Sequence, residues 1–300
     1  VTTPEQAIEA AHFKFGAHSG RRALHAKGSV YTGTFTATPE AAGLTRAAHM
    51  QGDPVEVTAR LSNGSGDPGA PDYAPDVRGL AVSFHLPDGS RTDISCQSLP
   101  RFPFKGPDPF VEFIRLSKPS PSSAAKLPLF LARHPGAIGS LRGNLALLKP
   151  PPSYASITYY ALHAFKWVGA DGGERYVRYT WKPTLELAPL ERGEAKRRGR
   201  DYLREDLEAR LADGPVGFEL EVQVAGPGDD PHDPSSVWPE DRDRVTVGTL
   251  EITGPSEGGD EHVFDPTRVT DGIELSDDPV LSFRARAYSV SYERRAETGT

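Results

Sequence analysis

The chain has one cysteine, Cys96, and one methionine, Met50. It has no apolar run approaching the roughly 18 residues that a membrane-spanning helix needs. The lone cysteine excludes an internal disulfide and a multi-cysteine zinc site, and it suits a reducing compartment. The lone methionine leaves few thioether targets for oxidants. With 37% hydrophobic and 25% charged residues, the composition is that of an ordinary globular protein, and neither a membrane span nor a membrane role is expected. Positive charge is not in excess either. The 34 basic residues face 41 acidic ones, for a net charge of −7, so no global field would gather nucleic acid. The run Lys196-Arg197-Arg198 reads as a solvated helix face. No basic, apolar leader precedes the fold, which makes a cytoplasmic location the expectation. A periplasmic or secreted one would require a leader removed before Val1.

Proline and glycine, by contrast, are plentiful. The 28 prolines and 30 glycines are spread along the whole chain, which predicts a turn-rich, β-heavy body without one dividing linker. Residues Pro54–Leu61, Gly79–Leu86, Ser156–Val168, Tyr176–Trp181, Phe218–Val224 and Thr246–Ile252 combine β-branched or aromatic side chains with partial alternation and read as strands. Leu203, Leu207 and Leu211 recur every four residues within a helix predicted over Arg197–Ala212, which Gly214-Pro215 stops. Pro107–Leu116 and Pro279–Tyr292 are also predicted helices, the second capped by Ser276 or Asp277 and carrying Arg294-Arg295 at its end. Residues 62–76 and 226–236 read as loops. No internal repeat is visible, and residues 1–300 are expected to form a single domain large enough to bury a sizeable core.

Two short runs carry candidate chemistry. Arg21-Arg22-Ala23-Leu24-His25-Ala26-Lys27-Gly28 sets a histidine between a basic segment and a glycine turn. Phe283-Arg284-Ala285-Arg286-Ala287-Tyr288 places an arginine four residues before a tyrosine on one helix face. Each alone has an ordinary structural reading: a packed histidine, and a core tyrosine beside a surface arginine. The other histidines form no His-x-x-x-His zinc motif, and Gly64-Ser65-Gly66 lacks the strand-to-helix flanks of a hydrolase nucleophile.

Together the two runs resemble the distal and proximal haem motifs of the catalase family. Further segments follow in the family's order: Val57-Thr58-Ala59-Arg60-Leu61-Ser62, Asp76 to Val82, His163-Ala164-Phe165-Lys166, Asp201-Tyr202 to Leu207, Asp233 to Pro239, and Gly272-Ile273-Glu274. The resemblance covers roughly residues 15 to 295. It implies an α+β fold in which an antiparallel barrel of about eight strands packs against helices, with haem b buried between. It also implies that the protein lacks the wrapping and carboxyl-terminal domains of long catalases, and that it associates, with a homodimer as the expectation.

The resemblance assigns Tyr288 as the iron ligand. A phenolate is a hard anionic donor suited to ferric iron, and because phenol ionises only near pH 10, iron and Arg284 must help it. His25 is then the proton shuttle, with Ser62 fixing its tautomer. Arg22, Arg60 and Arg295 fall where the family binds haem propionates, and Leu24, Phe102 and Phe110 where apolar residues flank the ring.

Two departures matter. Gln97 stands where the family places a distal asparagine, or Ser98 does if the register slips by one, and Thr180 stands for a histidine beneath the haem. With a shorter chain and a more open pocket, these point to a haem peroxidase. It would use hydrogen peroxide or organic hydroperoxides to oxidise small organic donors, with weak or absent catalase activity. The alternatives are a true minimal catalase, a fatty-acid hydroperoxide isomerase, which Leu24 before His25 disfavours, and a haem carrier or sensor.

Overall fold

The computed structural model describes residues 1–256 and 261–298. Among these, ten strands run β1 (Gly28–Ala37), β2 (Val55–Asn63), β3 (Arg78–His85), β4 (Arg91–Gln97), β5 (Tyr159–Tyr160), β6 (Phe165–Val168), β7 (Glu174–Pro183), β8 (Val216–Val224), β9 (Arg244–Pro255) and β10 (Ile273–Leu275). Helices are α1 (Pro4–Phe15), α2 (Pro39–Ala42), α3 (Pro107–Leu116), α4 (Pro121–Arg133), α5 (Pro135–Leu147), α6 (Arg192–Arg198), α7 (Tyr202–Asp213) and α8 (Pro279–Thr298). The strand order β1-β2-β3-β4-β5-β7-β8-β9 returns from β9 to β1, so eight antiparallel strands close a barrel. β6 and β10 extend it along β7. Closure removes the edges that would otherwise invite pairing with other chains.

Side-chain alternation explains the barrel's filling. Val57, Ala59 and Leu61 of β2 and Leu80, Val82 and Phe84 of β3 join one core. Phe35 meets Phe84 and Trp181 edge-on, with ring centroids 5.1 and 6.0 Å apart. Each such side chain, fully buried, contributes about 1.5–3 kcal/mol. Gly248 on β9 is bare because a Cβ there would overlap the Phe35 ring. The alternate residues of β2 are Thr58, Arg60 and Ser62, which are polar and also buried. Polar residues buried on the outward face of a barrel strand mean that something other than solvent covers them: Thr58 bonds His85, and Arg60 and Ser62 line a cavity bounded by helices.

The helices start where their caps dictate. In α1 the Thr3 hydroxyl accepts from the Gln6 amide and the Gln6 side chain accepts from the Thr3 amide, a reciprocal capping box with Pro4 in the first turn. α8 is capped by Asp278, whose Oδ1 accepts from the amides of Val280 and Leu281, not by Ser276 or Asp277. The helix expected over Arg197–Ala212 is two helices, α6 and α7, because Gly199 takes φ +112° and turns the chain between them. The strand expected over Ser156–Val168 is likewise divided into β5 and β6. β1, β4, β10, α1, α2, α4 and α5 have no counterpart among the elements expected from sequence.

Candidate active site

Strand register brings the outer faces of β2, β3 and β4 into two rows, Arg60–Ala81–Ser95 and Ser62–Gly79–Gln97. Residues of α1, α3 and α8 lie over them, and a cavity of about 290 Å³ separates sheet from helices.

His25 stands on the sheet side. It is the only non-glycine residue with positive φ among the described residues, at +56°. Its amide donates to the Gly64 carbonyl at 3.1 Å, the next amide donates to Ser65 at 3.0 Å, and Arg60 Nη2 donates to the His25 carbonyl at 2.9 Å. These bonds over-determine the backbone and hold it in a left-handed conformation that histidine would otherwise leave. The ring's Nδ1 is 3.0 Å from Ser62 Oγ. A Cβ at Gly79 would lie 2.8 Å from that hydroxyl and 2.9 Å from the imidazole, so only glycine leaves room for the pair. Burial, reinforced by the charges of Arg60, Arg284, Arg22 and Arg78, pushes the His25 pKa down to about 3. The imidazole is therefore neutral and able to accept a proton.

Tyr288 belongs to the helical side. Arg284, one turn earlier on α8, donates to the Tyr288 hydroxyl oxygen from Nε at 3.2 Å and from Nη2 at 2.5 Å. Two N–H donors of one guanidinium on one oxygen stabilise negative charge there. His163, between β5 and β6, lines the same cavity. Its Nδ1 is 2.6 Å from Asp278 Oδ2, and its buried Nε2 has no hydrogen-bond partner among the described residues. Burial lowers the His163 pKa even against the pull of Asp278.

The sequence points to eleven residues for the site, and all eleven line this one cavity: His25, Ser62, Gln97, Arg22, Leu24, Arg60, Phe102, Phe110, Arg284, Tyr288 and Arg295. Gln97 reaches it and donates from Nε2 to the Leu99 carbonyl at 3.1 Å. Ser98 instead turns back to β3, where its hydroxyl accepts from the Arg78 amide. Thr180, which stands for a family histidine beneath the haem, is not among the residues that line this cavity. Thr180 lines a separate polar groove of about 1210 Å³, beside Arg178, Lys182 and Arg244. The histidine on the Arg284 side is His163, whose segment belongs to the family resemblance but carries no role in it. Phe264, Gly79 and the α1 residues Ala7, Ile8 and Ala11 also line the cavity. Alanines on a helix carry no chemical signal that could have marked them.

The donor set fits a haem. Apolar walls from Leu24, Phe102, Phe110, Val111 and Ile114 suit a flat macrocycle, and Arg22, Arg60 and Arg295 supply cations for its carboxylates. A phenol oxygen held by arginine is a donor that would suit ferric iron, and a neutral histidine in the same cavity could take up a proton.

A model of the catalase family matches residues 9–299. The chain belongs to the catalase family. It is 48% identical over 297 residues to a catalase-related peroxidase of Mycolicibacterium paratuberculosis, covering 98% of this chain and 95% of that protein. It is 34% identical over 301 residues to a catalase-related peroxidase of Synechococcus elongatus, covering 98% and 88%. Its fold matches that of a fungal catalase with a TM-score of 0.81 at 25% identity, covering 97% of this chain and 62% of that one. The match to catalase A from Saccharomyces cerevisiae also has a TM-score of 0.81, at 24% identity, covering 96% and 63%. The chain thus spans about three-fifths of these solved catalases and nearly all of the two peroxidases. Proteins of this family carry haem.

Proposed function

We propose that the cavity holds haem b and that the chain is a peroxidase, using hydrogen peroxide or organic hydroperoxides to oxidise small organic donors. The observation that carries this reading is the pairing of His25 and Tyr288 on facing walls of one cavity, with Arg284 donating twice to the Tyr288 oxygen. Haem, when bound, supplies the iron at which the peroxide O–O bond is cleaved and the oxidising equivalents that the donor consumes. Tyr288 would be its protein ligand, and Arg22, Arg60 and Arg295 would bind its propionates. Leu24, Phe102 and Phe110 would flank the ring and exclude water from it.

His25 takes the proton from the near peroxide oxygen and returns it to the departing one. It is neutral, so it can accept, and it is buried, so the imidazolium is poorly stabilised and releases the proton promptly. The Ser62 hydroxyl, 3.0 Å from Nδ1, holds the tautomer and the ring angle during both transfers. Gln97 is the donor to the bound peroxide. Its amide already gives one hydrogen bond to Leu99, which leaves a single N–H for substrate and supports weak catalase activity. Both named relatives that the chain spans are catalase-related peroxidases, in line with this assignment.

The test is alkyl-hydroperoxide-dependent oxidation of a phenolic donor, measured beside oxygen release from hydrogen peroxide. Donor oxidation should exceed oxygen release. His25→Ala should lower the rate by roughly 10²–10⁴-fold, the usual worth of a positioned acid–base group, with haem content unchanged. Undiminished turnover in His25→Ala would remove the proposal.

A further inference from the structure

Helix α5 packs Ala137 and Leu141 on the cluster of Phe102, Phe104 and Phe130 but leaves most of its apolar surface exposed. Its sequence has one charged residue in thirteen, Arg142, yet the buried positions are Ala137, Ser140 and Asn144, while Ile138, Leu145 and Leu147 face outward. Leu145 is 70% exposed and Leu147 54%. Asn144 donates to the Arg101 carbonyl at 2.7 Å, and its own Oδ1 is buried without a partner among the described residues. A helix this apolar is normally covered on every side. Its neighbour α4 repeats the pattern, with Ser122, Ala125, Lys126, Leu129 and Arg133 exposed at helical spacing and Leu129 64% exposed. The inner side of α4 is anchored by Phe130, which packs on Phe104 and on Phe113 of α3.

The charged residues of α4 and α5 themselves, Lys126, Arg133 and Arg142, are all positive. Between Glu112 and Asp171 the sequence contains no acidic residue, in a chain whose net charge is −7. Within that stretch lie Arg115, Lys118, Lys126, Arg133, Arg142, Lys149 and, on β6, Lys166, which pairs with Glu174 and Glu274. Arg115 and Lys118 donate to backbone carbonyls of α1, and Arg133 pairs with Glu112. Lys126, Arg142 and Lys149 are exposed and take part in no ion pair among the described residues.

We propose that the outward face of α4 and α5 docks on an anionic lipid surface. Leucines in the acyl boundary with lysine and arginine among the headgroups are the arrangement by which an amphipathic helix lies on a bilayer without crossing it. No helix among the described residues is long and apolar enough to cross a membrane, and none is needed. The composition argues against a membrane role only in so far as it is read for spans. A second copy of the chain is a poorer occupant, since a two-fold contact sets the same cations against each other. The surface is also formed by projecting side chains on two short helices, which a fluid interface accommodates without a matching groove. The proposal requires neither haem nor turnover.

The experiment is co-sedimentation of the protein with phosphatidylglycerol vesicles and with phosphatidylcholine vesicles, at low and raised salt. Binding should be at least tenfold stronger to phosphatidylglycerol and should weaken with salt. Leu129→Ser/Leu145→Ser/Leu147→Ser and Lys126→Glu/Arg142→Glu/Lys149→Glu should each reduce it at least tenfold, since each cation near such a surface contributes roughly fivefold. All six positions are exposed, so circular dichroism should be unchanged. If the serine variant does not fold, the charge-reversal variant decides alone. Absence of binding to phosphatidylglycerol, or binding that survives charge reversal, overturns the proposal. So does a dimer in analytical ultracentrifugation that the leucine substitutions dissociate, which would make the occupant a second copy.

Discussion

Asp278 joins two parts of the site through one carboxylate. One oxygen accepts from the Val280 and Leu281 amides and starts α8, and the other lies 2.6 Å from His163 Nδ1. The helix that carries Arg284 and Tyr288 is thereby fixed to the barrel at its first turn. Asp278→Ala should cost about 2 kcal/mol or more, combining loss of a cap with an uncompensated buried partner. Asp278→Asn keeps a cap oxygen and should cost less. Urea denaturation of the two variants measures the difference, and equal losses would mean that the cap contributes nothing and the pairing with His163 alone matters.

Gly79 is the floor under His25. A methyl group there has 2.8 Å to Ser62 Oγ and 2.9 Å to the imidazole, less than any relaxed contact allows. Gly79→Ala should therefore displace the ring, slow the reaction with peroxide at least tenfold, and destabilise the chain by about 1–3 kcal/mol. Gly89 offers a contrast, because a methyl group there would meet nothing within 4 Å although its φ is +82°. Gly89→Ala should carry a backbone cost and leave the peroxide rate unchanged. Stopped-flow rates for both variants check this.

Acid should destabilise the fold through buried neutral histidines. His49 lies in the barrel core, its ring centroid 4.7 Å from that of Phe84, and burial pushes its pKa down to about 3 from 6.5. His25 is lowered to about 3 as well. Below pH 6.5 the unfolded chain takes up protons that the folded chain refuses, so stability falls from there toward pH 3. Asp93 acts with the opposite sign. Burial raises its pKa to about 6 despite Arg268, so it offsets part of the loss as pH falls below 6. His49→Phe should flatten the fall between pH 6 and pH 4 by about 1–3 kcal/mol. Parallel curves for His49→Phe and the parent would show that His49 is not the source.

The parts of the fold legible in the sequence are those whose periodicity follows burial. β2, β3, β7, β8 and β9 are located within a few residues because their apolar side alternates. β4 is hidden because Arg91-Thr92-Asp93 begins it, and Asp93 is buried through Arg268 and the Asp265 amide, a tertiary arrangement that no local pattern reports. β1 is hidden by Gly28 and Gly33, which exist for close approach. A Cβ at Gly33 would overlap the Glu251 carbonyl oxygen, at the irregularity where β1 meets β9. α5 escapes because Leu145 and Leu147 face outward while Ser140 and Asn144 are buried. The site shows the same division. His25 and Tyr288 are joined only by the closed barrel and α8, so their pairing is readable from family resemblance and not from spacing.

The central claim is that Tyr288 binds the iron of a haem on which His25 acts. Resonance Raman and visible spectra of the purified ferric protein test it most directly, with Tyr288→Phe and His25→Ala beside the parent. The parent and His25→Ala should both show phenolate-to-iron charge transfer, and Tyr288→Phe should lose it. A charge-transfer spectrum that persists unchanged in Tyr288→Phe would contradict the account.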